Sequence, residues 1–181
     1  MLAARRDVPH EIAAARAAAL GAHLLALPEL ASAATVAAYV SVGTEPATDE
    51  VLAALHARGA RVLLPVLLPD GDLDWAEYTG PHSLRSAGRG LLEPAGPPLG
   101  REEVGRADVV LLPGVAVSPT GTRMGRGGGS YDRALARVRP EALTVVLLHP
   151  GEVGLPVPVE PHDLGVDVAV TAEGVTRFPH A

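Results

Sequence analysis

The sequence predicts one α/β domain over residues 1–181: a three-layer α/β/α arrangement with a mainly parallel central sheet. Short β-branched, apolar runs alternate with helix-forming segments at βαβ spacing. The central runs are apolar throughout, as strands covered on both faces require. A chain of 181 residues that is 48% hydrophobic has enough apolar material for one core, built mostly from Ala, Val and Leu because aromatics are only 3%.

In chain order, the Ala- and Leu-rich segment 9–27 reads as a helix stopped by Pro28. Residues 35–43, "TVAAYVSVG", read as a buried strand ending at glycine. Thr48 is then the candidate N-cap of a helix carrying Val51, Leu52 and Leu55, which Gly59 stops. "RVLLPVLL" (61–68) is a second strand, and 70–80 a turn with a short strand bearing Trp75 and Tyr78. The Pro- and Gly-rich stretch 81–100 reads as a surface loop crossing a sheet edge. "ADVVLLPGVAV" (107–117) is the strongest strand signal, followed by a glycine-rich loop and a helix over Tyr131–Val138. The segments 142–148 and 166–171 complete the strands.

The composition narrows the function classes. A formal net charge of −6 argues against non-specific nucleic-acid binding. The absence of cysteine excludes disulfides, thiolate metal sites and a cysteine nucleophile. No apolar run reaches the roughly 18 residues of a membrane span. The opening "MLAARRDVPHE" turns charged within a few residues, unlike a secretory leader, so a cytoplasmic location is expected.

The densest chemistry lies in "GTRMGRGGGSYDRALA" (121–136), with five glycines and three arginines. Its predicted place is beyond the carboxyl end of a strand and before a helix, where α/β sheets bind ligands. Glycines let backbone N–H groups approach phosphate closely, and Arg123 and Arg126 supply forks that match phosphate oxygens. The phosphate-loop pattern ending in Lys-Ser/Thr is absent, as is G-x-G-x-x-G. On local grounds a flexible surface turn remains open. Asp132 is equally a magnesium ligand or a helix cap.

The stretch from Val109 to Leu135 resembles the hallmark of the 5-formyltetrahydrofolate cyclo-ligase family. That pattern is a strand ending in P-G, then G-x-R-[LM]-G-x-G-x-G-x-Y-D, matched by Gly121, Arg123, Met124, Gly125, Gly127, Gly129, Tyr131 and Asp132. Glu45 and Thr48 match the family's E-x-x-T, "GLLEP" (90–94) its G-I-x-E-P, and 157–171 its P-x-E-x-H-D-x-x-x-D-x-x-x-T ending. The resemblance implies a ligase of one-carbon metabolism that converts 5-formyltetrahydrofolate to 5,10-methenyltetrahydrofolate with ATP and Mg²⁺, as a monomer or weak homodimer. By that resemblance Arg123, Met124, Gly125, Arg126, Gly127, Gly128, Gly129, Ser130 and Tyr131 bind ATP, and Arg126 to Ser130 also touch the folate. Arg123, Arg126 and Tyr131 carry the catalytic assignment, and Asp132 and Asp163 the metal. Val40 and Glu45 line the folate pocket, and Trp75, the single tryptophan, and Tyr78 are candidates to stack on or pack round the pterin, with core packing as the alternative for both. His162 is expected to be structural, Glu93 to belong to an extended loop, and His149 is left unassigned.

The chain departs from the pattern at two places. The family's K-x-x-[LI]-R segment has no counterpart, because Arg5 and Arg6 match the later basic pair. The expectation is either a start placed too late or lost phosphate contacts, at about 1.5–3 kcal/mol per charge-assisted bond. Ser130 stands where many members carry an aromatic. The alternative function is a non-catalytic folate- or nucleotide-binding protein on the same fold.

Overall fold

The computed structural model describes residues 5–88, 90–158 and 164–179. Its main sheet has seven strands: β1 (Thr35–Ala37), β2 (Arg61–Leu67), β3 (Leu73–Glu77), β6 (Val109–Pro113), β9 (Leu143–Leu147), β10 (Val168–Thr171) and β11 (Gly174–Arg177). They lie in the order β11-β10-β9-β6-β1-β2-β3. The inner pairs are parallel, whereas β3 runs antiparallel to β2 and β11 antiparallel to β10. Two short ribbons, β4–β5 (Leu84–Ser86 with Leu92–Pro94) and β7–β8 (Ala116–Val117 with Arg123–Met124), lie outside this sheet.

Strand alternation sends neighbouring side chains to opposite faces, and each face has its own core. Val36, Val109, Leu111, Val145 and Leu147 pack with residues of α1 (His10–Leu25), α2 (Pro28–Ser32) and α3 (Asp49–Ala57). Ala37, Val110, Leu112, Val146 and Leu148 pack with α4 (Ser130–Leu135) and Val104 of the 3-10 turn Arg101–Arg106. The three layers expected from the sequence are therefore present, though the second helical layer is thin. Each fully buried Leu contributes about 1.5–3 kcal/mol of transfer free energy, so aliphatic side chains suffice where aromatics are scarce. Among the described residues no helix is long and apolar enough to cross a membrane.

Several boundaries differ from the sequence expectation. Pro28 occupies the first turn of α2 rather than merely ending α1, as its fixed φ and missing N–H allow. The strand expected over 35–43 pairs only through Ala37, and the chain then leaves the sheet. The run 107–117 is split at Gly114, where a Cβ would sit 2.6 Å from Val146 Cγ2. Residues 81–100 hold the β4–β5 ribbon instead of an unstructured loop. The helix after the glycine loop spans Ser130–Leu135, starting one residue earlier and ending sooner than expected.

Thr48 stands at the N-terminus of α3 but does not cap it. Its buried Oγ1 donates to the Tyr39 carbonyl at 2.9 Å and accepts from the Ser41 amide at 3.0 Å. It thereby pins the segment leaving β1 to α3, and that segment carries Tyr39, Val40 and Glu45.

Candidate functional site

The chain runs from β1 to β2 on one side of the sheet and later returns with β6 on the other side of β1. Such a reversal opens a crevice at the carboxyl ends of the strands. A cavity of about 640 Å³ lies there. Tyr39 and Val40 after β1, Pro65 and Leu67 of β2, and Pro113 to Val115 at the end of β6 form its floor and sides. Residues Arg123 to Asp132 form another wall. All the ATP-binding residues expected from the sequence thus face one cavity, together with Val40, Glu45 and Asp132.

The β7–β8 ribbon positions the glycine loop. Val117 pairs with Arg123 and Ala116 with Met124, so Arg123 is directed back under the loop. Its side chain is buried; Nη2 lies 2.6 Å from Asp132 Oδ1 and Nη1 donates to the Pro113 carbonyl at 3.3 Å. Gly127 and Gly129 have φ of 83° and 66°, conformations that glycine adopts without strain. Gly129 leads into α4, whose first residue, Ser130, donates from Oγ to the Gly71 carbonyl at 2.5 Å. Arg133 donates to the same carbonyl at 2.6 Å, so the β2–β3 turn holds the end of the loop. Asp72 anchors that turn: its buried carboxylate accepts from Arg137 and Arg101. The Arg137 hydrogen bond is the main cause that holds the Asp72 carboxyl well below the usual carboxylate range.

The opposite wall is set by a tight turn. Glu45 Oε2 accepts from the Val42 amide at 2.8 Å, and the Glu45 amide donates to the Val42 carbonyl at 3.2 Å. Glu45 Oε1 reaches across to Arg126 Nη2 at 3.3 Å. The Arg126 side chain is 52% exposed and Glu45 only 11%, so Arg126 is the solvent-facing partner of this pair. Burial of the Tyr131 hydroxyl raises its pKa above the ordinary phenol value, and the nearby Glu45 carboxylate adds to the rise. Tyr131 is therefore neutral at physiological pH and can donate a hydrogen bond.

Two expectations meet a different geometry. Trp75 is 1% exposed, packs in the core with Leu63 and Val104, and does not line the cavity, so core packing describes it and pterin stacking does not. Tyr78 is buried on the opposite core, edge-on to His56. The second metal candidate, Asp163, and its neighbour His162 lie outside the described residues. Glu93 lines the cavity, but its Oε1 accepts from the Leu67 amide at 2.9 Å and ties the β4–β5 ribbon to β2. His149 Nε2 lies 2.9 Å from the Thr44 carbonyl and supports the Glu45 turn from outside. Arg5 is buried, paired with Glu152 at 2.7 Å and donating to the Gly114 carbonyl at 2.8 Å, so it buttresses the wall.

Sequence reasoning missed Tyr39 and the apolar wall of Pro65, Leu67, Leu73, Leu91 and Leu92. The signal for Tyr39 was its scarcity: the chain has three tyrosines, and two of them, Tyr39 and Tyr131, face this cavity.

Comparison with known proteins shows the family and the fold. The model of the 5-formyltetrahydrofolate cyclo-ligase family matches residues 1–172. The chain is 40% identical over 176 residues to a 5-formyltetrahydrofolate cyclo-ligase of Mycolicibacterium smegmatis, covering 94% of this chain and 89% of that one. It is 31% identical over 161 residues to a protein of that name from Escherichia coli K12, covering 86% and 87%. The solved structure of Aquifex aeolicus 5,10-methenyltetrahydrofolate synthetase superposes with a TM-score of 0.84 at 26% identity, over 99% of this chain and 90% of that one. A cavity at the sheet's switch point, walled by the glycine loop and by the Glu45 turn, together with these matches over nearly the full length, places the chain in the 5-formyltetrahydrofolate cyclo-ligase family of enzymes.

Proposed function

We propose that this chain converts 5-formyltetrahydrofolate and ATP to 5,10-methenyltetrahydrofolate, ADP and phosphate, with Mg²⁺ present. The observation that carries the reading is that both sets of candidate residues, the loop Arg123–Tyr131 and the pair Val40 and Glu45, line one cavity, so the two substrates would meet there.

The chemistry accounts for the residues. A formamide oxygen is a poor leaving group. Its attack on the γ-phosphorus, with ADP leaving, makes it a phosphate ester. N10 then attacks the activated formyl carbon and loses its proton, and the C–O bond breaks to release phosphate and leave the methenyl bridge. Phosphoryl transfer of this kind rests on positioning and charge neutralisation. The amides of Gly127–Gly129 would face the phosphates, Arg126 would swing from Glu45 to them, and Arg123 would hold the loop from beneath. Glu45, released by Arg126, would accept from N–H groups of the folate. The neutral Tyr131 hydroxyl would donate to developing charge on oxygen.

The donor set fits magnesium. Mg²⁺ takes one or two carboxylates and completes its shell with water and phosphate oxygens. Asp132 on the wall offers such a carboxylate, and among the described residues no group of three or more His, Cys, Asp or Glu forms an all-protein metal cage. Asp132, with Asp163 as second ligand, would hold the ion, which supplies charge neutralisation at the β- and γ-phosphates. The test is the absorbance of the methenyl product in a reaction started with ATP: ATP-dependent formation supports the reading, and folded protein that yields none refutes it.

A further inference from the structure

Among the described residues, four buried side-chain polar atoms have no hydrogen-bond partner: Arg5 Nη1, Tyr39 Oη, Trp75 Nε1 and Arg123 Nε. Tyr39 and Arg123 both stand in the wall of the cavity described above, and Trp75 is not among its lining residues. Orphaned buried groups are rare, and each calls for an explanation. The Arg123 guanidinium is otherwise engaged, with Asp132 and Pro113. The Tyr39 hydroxyl has nothing at all, although the residue is only 2% exposed.

Packing alone does not explain this hydroxyl. Tyr39 belongs to the apolar cluster that holds Val36, Val40, Leu52 and Leu64, where a phenyl ring would fill the same space with no polar atom to satisfy. The charged and polar groups that influence the hydroxyl are Glu45, Tyr131 and Arg5. Glu45 and Tyr131 are cavity-wall residues on the two sides of the site, and Arg5 buttresses Gly114 between them. Tyr39 thus lines the same cavity as Glu45 and Tyr131.

We propose that Tyr39 is a further substrate-positioning residue, whose hydroxyl donates a hydrogen bond to a carbonyl-type oxygen of the reduced folate. The proposal rests on the cyclo-ligase reading of the cavity. Burial, with Glu45 adding to it, raises the phenol pKa well above its ordinary value, so the group remains a donor across the working pH range. A site built to hydrogen-bond its substrate leaves a buried group unpaired when empty, and that cost is relieved only by the right ligand. In that reading the nucleotide lies on the Arg123–Tyr131 wall and Tyr39 follows β1 beside the folate residue Val40, so the effect would fall mainly on the folate.

The experiment compares the full chain with Tyr39→Phe, the isostere that removes one oxygen. Three quantities are read: the melting temperature without ligands, KM for 5-formyltetrahydrofolate at saturating ATP, and KM for ATP. The expected result is an equal or higher melting temperature, a folate KM raised about tenfold and an ATP KM within about twofold. An unchanged folate KM, an equal rise in both constants, or loss of the cooperative melt would each overturn the proposal. If the wild-type chain shows no turnover, the cyclo-ligase reading fails instead. Calorimetric binding of 5-formyltetrahydrofolate to the two proteins then decides the role of Tyr39 separately: weaker binding by Tyr39→Phe supports it and equal binding overturns it.

Discussion

Asp132→Asn separates the ion pair that Asp132 makes from the metal role proposed for it, because it keeps the shape of the side chain and removes its charge. In the folded protein Asp132 Oδ1 accepts from Arg123 Nη2 at 2.6 Å. An asparagine oxygen preserves that acceptor but not the ion pair. A charge-assisted hydrogen bond contributes about 1.5–3 kcal/mol and a neutral one about 0.5–1.5, so the loss is about 1–2 kcal/mol. The Asp132 side chain is 28% exposed, which screens the interaction and favours the lower figure, about 1 kcal/mol. At roughly 2–4 °C per kcal/mol for a domain of this size, the melting temperature falls by about 2–4 °C. That leaves the protein folded at assay temperature. The activity effect is of a different order: a neutral amide is a poor magnesium ligand, and a loss of about 3 kcal/mol of transition-state stabilisation is roughly a hundredfold in rate. The assays are a thermal melt and the initial rate of methenyl formation across a magnesium titration, in which the variant should need far more Mg²⁺. A rate within about twofold of wild type at an unchanged magnesium dependence would refute the metal assignment. A fall in melting temperature beyond about 10 °C would refute the screening argument instead.

Gly128→Val tests the loop without disturbing the fold. Gly128 has no positive φ, and a Cβ there meets only Ser130 Oγ at 3.8 Å. Its melting temperature should stay within about 2 °C of wild type, while KM for ATP rises about tenfold because the added side chain fills space the phosphates need; an unchanged ATP constant would remove the loop from the nucleotide site. Asp72 predicts an acid limb of stability. Its folded pKa lies below the unfolded value of about 3.9, so its contribution is fully present above that value and is lost as pH falls through it toward the folded pKa. Asp72→Asn should therefore melt lower than wild type at pH 7, and the gap should close as the pH is lowered below about 4; a constant gap across that range would show that the Arg137 and Arg101 pairs contribute nothing through charge.

The parallel core of the fold was legible because its signal is continuous. β6, β9 and β10 are apolar runs buried almost throughout, and β2 shares that pattern over residues 62–64, as strands covered on both faces do. The edges were not. β11 is a largely exposed strand, Gly174–Arg177, with polar residues at Thr176 and Arg177 and no alternation to betray it. The β4–β5 ribbon is short and set among glycines and prolines, so turn chemistry masked it. At the site, the glycine loop, Glu45 and Val40 were legible from motif and order. Trp75 was not, because rarity in a sequence says nothing of where a side chain packs, and Trp75 is buried in the core that holds Leu63 and Val104. Tyr39 was hidden for the same reason: it stands in an apolar run where its ring, not its hydroxyl, sets the pattern. Thr48 was read as a cap, yet a hydroxyl at a helix start can equally bond the preceding segment, and here it holds the chain that leaves β1.

The most direct test of the central claim is a near-ultraviolet time course of the purified full chain with 5-formyltetrahydrofolate and Mg²⁺, with and without ATP. The account predicts the methenyl chromophore only when ATP is present, with ADP and phosphate formed in equal amount. A chain that melts cooperatively and binds both ligands, yet forms no methenyl product, would contradict it and leave a binding protein on this fold.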